Sequence, residues 1–175
     1  MCIQDKFFIW WLHGPRYGWS KLRRRLFESS YLAKPLPGVH SLADVLACLQ
    51  KVAWKKDWMP QLFDCVSYPH RVWDKKTDDC DGFAILAAEL LKQWEPATAP
   101  VMVTAMVAPM KNCHSVCVFK QGGDLRYFSN NKELNPGRFQ DYSEIVADFT
   151  RPPNRLICWD VVKPDTLEQL EFHIV

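Results

Sequence analysis

The proline-bracketed stretch EPATAP (Glu95 to Pro100) separates two hydrophobic periodicities, and that separation constrains the fold more than any other feature of the chain. Upstream, apolar residues recur three and four apart, the spacing of one helix face. Downstream they alternate, or run in short β-branched and aromatic blocks. Proline has no amide hydrogen to donate and cannot carry a helix forward, so the stretch is a boundary between elements. Helices first and strands afterwards imply an α+β fold with an antiparallel sheet.

On the helical side, SKLRRRLFESSYLA (Ser20 to Ala33) predicts a helix with Ser20 as N-cap, after a turn-rich HGPRYGW. Its Arg23-Arg24-Arg25 triplet reads as a solvated face rather than a phosphate contact. SLADVLACLQKVAW (Ser41 to Trp54) predicts a second helix, with Ser41 and Asp44 as an approximate capping box. The aromatic, proline-containing Lys55 to Thr77 has poor periodicity and reads as a long ordered loop. A third helix is expected from about Asp79 to Trp94.

On the other side, VMVTAMVA (101–108), HSVCVFK (114–120), LRYFSNN (125–131) and RLICWDVV (155–162) predict strands. QGGD (121–124) is a hairpin signal, because its glycines supply positive φ. Gln140 to Phe149 reads as a short helix, and the tail after Pro164 as one more strand or helix.

At 175 residues, nearly half of them apolar, one domain with a sizeable core is expected over 1–175, its helical part at 1–60. The 22 basic and 20 acidic side chains are spread along the chain and leave a net charge of +2, so neither nucleic acid nor an acidic membrane surface is expected as partner. FFIWWL (Phe7 to Leu12) is too short for a membrane span and reads as a buried element. Seven irregularly spaced cysteines without a CxxC pair point away from a disulfide framework and towards a reducing, cytoplasmic setting.

One cysteine stands apart. In DDCDGFAILAAELL (Asp78 to Leu91), Cys80 opens the third helix, on one face with Phe83, Ala84, Ala87, Leu90 and Leu91. Amide hydrogens and the positive end of the helix dipole favour a thiolate there, and the same amides could hold an oxyanion. Asp78, Asp79 and Asp81 oppose the thiolate, so a cationic partner is required. Gly82 would leave room for another backbone beside the thiol.

Of the five histidines, His114 has the strongest claim to be that partner. Alternation puts His114, Val116 and Val118 on one strand face, and packing of that face on the Cys80 helix would bring the imidazole to the thiol. Asn130 or Asn131, with Ser129 as a weaker choice, would orient the ring. A zinc site from Cys113, His114 and Cys117 is disfavoured, because His114 alternates away from both cysteines and there is no second ligand pair; no metal or other cofactor is expected.

Together DDCDGFA, CHSVCVF and RYFSNN, in that order on helix, strand and strand, resemble the transglutaminase-like branch of the papain-like superfamily, in particular the bacterial transglutaminase-like cysteine peptidases. The resemblance covers about residues 73–134 and implies a nucleophile helix packed on an antiparallel sheet. It implies Cys80 as nucleophile, His114 as general base and acid, and Asn130 where the family usually has aspartate. Trp73, Tyr68 or Gln61 would complete the oxyanion hole or line the substrate cleft. The implied reaction is attack on an amide or ester carbonyl of a protein or peptide, giving a thioester that passes its acyl group to water or to an amine. The asparagine also feeds an alternative, a catalytically inactive protein-binding module with the same fold.

Overall fold

A computed structural model describes residues 2–55, 65–130 and 134–175 of the chain. The helices are α1 (Ile3–His13), α2 (Pro15–Leu32), α3 (Leu42–Leu49), α4 (Pro69–Lys75), α5 (Cys80–Trp94) and α6 (Tyr142–Phe149). Strands β1 (Ala53–Trp54) and β2 (Thr77–Asp78) form a small parallel pair. Strands β3 (Val101–Ala108), β4 (His114–Gln121), β5 (Asp124–Phe128), β6 (Arg155–Val162) and β7 (Gln169–Ile174) form an antiparallel sheet in the order β5-β4-β3-β6-β7. The α+β expectation is met, and the tail after Pro164 supplies the edge strand β7.

Most strands fall where alternation and β-branching place them. The β4–β5 hairpin turns on Gly122 and Gly123, whose φ values of 62° and 93° are left-handed, the conformation that only glycine adopts without penalty. The third expected strand, read over 125–131, stops at Phe128, before SNN.

The helical half departs further from expectation. α2 starts at Pro15, since proline at the first helical position loses no hydrogen bond, and Ser20 lies inside the helix with its hydroxyl on the Arg16 carbonyl at 2.6 Å. Arg24 belongs to no solvated face: it is buried and donates to the carbonyls of Ser67, Pro164 and Asp165. Within the segment read as a loop, Pro69 and the left-handed Lys76 (φ 53°) start and stop α4, a helix too short to show periodicity.

Both sheet faces are covered. On one, Met102, Met106, Cys117, Phe119, Phe128 and Cys158 join a core with α1, α3 and α5. α5 supplies Phe83, Leu86, Leu90 and Leu91, and burial of each such side chain stabilises by about 1.5–3 kcal/mol. On the other, Val103, Ala105, Val116 and Val118 pack with Ile145 and Val146 of α6. α1 rests on β6 and β7 while α5 rests on β3 and β4, so the two helices share one face and leave a gap over the start of β4.

Candidate active site

Cys80 is the first residue of α5, as its sequence context predicts. Asp79 caps the helix, its carboxylate accepting from the Asp81 amide at 3.3 Å. Gly82 has a different purpose from the one expected: a β-carbon there would collide with the Asp78 side chain, which folds over the first turn and accepts from the Asp79 amide. The glycine makes room for a carboxylate, not for a backbone.

The surroundings of the thiol oppose its ionisation. Desolvation is the main cause and pushes the Cys80 thiol well above its ordinary range, with the charges of Asp79 and Asp81 adding to it. The backbone N–H of Ser115 and the Arg16 guanidinium act the other way without prevailing. Cys80 reaches the surface in part, but its sulfur is desolvated and rests as a neutral thiol.

Behind the thiol lies a buried polar network. Arg16 pairs with Asp81 at 2.8 Å, both nearly inaccessible, and donates to Thr104 at 3.2 Å. Thr104 in turn shares a 2.9 Å hydrogen bond with Ser115. The network continues through Tyr17, whose hydroxyl donates to Asp160 at 2.8 Å, and Gln169, which donates to the same carboxylate. Burial raises Asp160 to about 7 and Asp81 well above its usual value.

His114 stands at the first position of β4, and its Nε2 lies 2.9 Å from the Ser129 hydroxyl. Phe149 of α6 meets the ring edge-on at 5.8 Å. The face carrying His114, Val116 and Val118 packs towards α6, whereas Ser115, Cys117 and Phe119 face α5. The expected packing of the His114 face on the Cys80 helix is therefore wrong. His114 reaches the thiol's surroundings because it begins the strand, where the sheet ends and both faces open into one cleft.

Two cavities meet there, both lined by Asp79, Cys80, Cys113 and His114. One is a slot of about 40 Å³ beneath α1, with Phe7, Phe8, Trp11 and Met106 on its walls. The other is a more polar cleft of about 450 Å³, lined also by Trp54, Lys111, Asn112, Ser129, Asn130 and Phe149. Asn130 thus stands in the cleft, at a left-handed φ of 58°, and its buried Oδ1 has no hydrogen-bond partner among the described residues. The ring contact that the structure gives at Nε2 is Ser129, the candidate ranked below the asparagines.

Of the remaining candidates, Gln61 and Asn131 lie outside the described residues. Tyr68 and Trp73 are not among the described residues that line either cavity. Pro69 begins α4 immediately after Tyr68, whose ring stacks on Tyr31; Trp73 is turned against the main core, with Lys76 over its ring. Among the described residues, the tryptophan that lines the cleft is Trp54, ahead of the segment read as a loop. Sequence reading also missed Arg16, Thr104 and Ser115, because their roles rest on pairings between residues 11 to 88 positions apart.

Of the residues weighed as zinc ligands, Cys117 is fully buried on the α5 side while His114 lines the cleft. Among the described residues the one group of carboxylate, thiol or imidazole ligands that converges is Asp78, Asp79 and Asp81, within 4.8 Å of one another, with Arg16 already on Asp81. No described helix is long and apolar enough to cross a membrane. No family model matches the chain, and no curated protein sequence matches it either.

Proposed function

We propose that the chain is a cysteine acyl-transfer enzyme of transglutaminase-like or papain-like type, in which Cys80 attacks an amide or ester carbonyl and His114 carries the proton. The observation that supports this most is the shared lining: a helix-starting cysteine and a hydrogen-bonded histidine border the same two cavities. Because the thiol rests neutral, the reading is one of general-base catalysis rather than a standing thiolate–imidazolium pair. Ser129 would accept from Nε2–H, so that Nδ1 receives the thiol proton as sulfur bonds to carbon. The Cys80 amide, at the start of α5, would face the oxyanion. The thioester then passes its acyl group to water, giving hydrolysis of a peptide, isopeptide or other amide, or to an amine.

The raised thiol favours a second reading, a binding module that keeps the fold without turnover. The two separate on treatment with p-nitrophenyl acetate, followed by intact and peptide mass spectrometry. An acetyl group on Cys80, lost in Cys80→Ser and strongly slowed in His114→Ala, supports the enzyme. A protein that stays unmodified at Cys80 is the binding module.

A further inference from the structure

We infer that the slot beneath α1 receives the acyl part of the substrate and restricts it to a short apolar group of about three or four carbons, while the polar cleft takes a larger amine or leaving group. The inference rests on Cys80 being the nucleophile, a residue that borders both spaces.

Size is the first argument. The slot measures about 40 Å³ and the cleft about 450 Å³. A water-sized group needs roughly 10–15 Å³ of such space, so the slot admits about three heavy atoms beyond a carbonyl placed at the sulfur. Chemistry is the second. Phe7, Phe8 and Trp11 of α1 and Met106 and Met110 wall the slot with apolar surface. Of the polar side chains that line it, Arg16, Thr104 and Ser115 are bonded to one another and to Asp81. A charged acyl group would lose its hydration beside Phe7, Phe8, Met106 and Met110, whereas an alkyl chain gains by leaving water.

The cleft has the opposite character. Asn130 offers a buried carbonyl oxygen without a partner among the described residues, and Lys111, Asn112 and Ser129 line the same cleft. An amine N–H on the leaving side would donate to that oxygen.

The test uses p-nitrophenyl acetate, butyrate, octanoate and benzoate with the full chain. The sulfur–carbon bond forms as the carbon–oxygen bond to nitrophenolate breaks, the nitrophenolate leaves with the electron pair, and the thiol proton passes through His114 to solvent. Rates are read from the nitrophenolate burst, with the acyl group located on Cys80 by peptide mass spectrometry. Butyrate is expected to acylate Cys80 about tenfold or more faster than octanoate and benzoate, and faster than acetate. Met106→Ala, which lengthens the slot, should narrow the gap to octanoate; if that variant does not fold, the wild-type series decides alone. Octanoate or benzoate acylating Cys80 as fast as butyrate would overturn the slot assignment and leave the nucleophile standing. Acylation of Cys80 by none of the esters would overturn the nucleophile, and the slot's role with it.

Discussion

The two faces of the sheet are built from the same strands, yet they are chemically unlike. Towards α6 the strands present Val103, Ala105, Val116 and Val118, a dry packing surface. Towards α1, α2 and α5 the same strands present Thr104, Ser115 and Asp160 among apolar residues, tied to Arg16, Asp81 and Tyr17. Buried polar groups add little net stability and cost much when one partner is lost. Their concentration beneath Cys80 indicates that this face holds groups in position, while the other holds the sheet together.

The comparison can be broken most directly at Arg16. Arg16→Met strands the Asp81 carboxylate and is expected to cost about 3–5 kcal/mol in urea unfolding, most of it recovered by adding Asp81→Leu. Failure of the second change to restore stability would mean that the pair itself, not the orphaned charge, holds the face together. On the dry face, Ile145→Ala should cost about 2–5 kcal/mol by leaving a cavity, and should not alter iodoacetamide alkylation of Cys80. A change in that rate would show the faces to be coupled.

Asp160 sharpens the contrast through pH. Its folded pKa of about 7 lies above the unfolded value near 3.9, so between these the folded state binds more protons and stability falls as pH rises. Wild type should lose about 2.5 kcal/mol from this group between pH 5 and 8, a slope that Asp160→Asn removes. The smallest effect is expected at the cap. Asp79→Asn keeps a side-chain oxygen for the Asp81 amide and removes one charge beside the sulfur, so Cys80 should be alkylated faster at pH 8. An unchanged rate would leave desolvation and the Asp81 charge as the barrier.

What could be read from the sequence follows from the range of the interactions involved. Strands β3 and β6 and helix α5 rest on local periodicity, and Cys80 was visible at the helix start because capping is local. α4 was missed because it is seven residues long and bounded by a proline and a left-handed lysine rather than by pattern. His114 was found but attached to the wrong face, since alternation tells which residues share a side and not which helix covers it. The Arg16 network joins residues far apart in the chain, and no short-range rule connects an arginine after Gly14-Pro15 to an aspartate after Cys80.

The seating of α1 also sets when the site can exist. Asp5 is held by Arg155, and Gln169 reaches the Leu12 carbonyl and His13, contacts spanning about 150 residues of chain. On a ribosome adding roughly 5–20 residues per second, the apolar side of α1 waits about ten to thirty seconds for β6 and β7 to emerge. During that interval Phe8, Trp11 and Leu12, all later buried, have no strand to rest on. The wall of the slot thus precedes by about 150 residues of chain the strands that seat it.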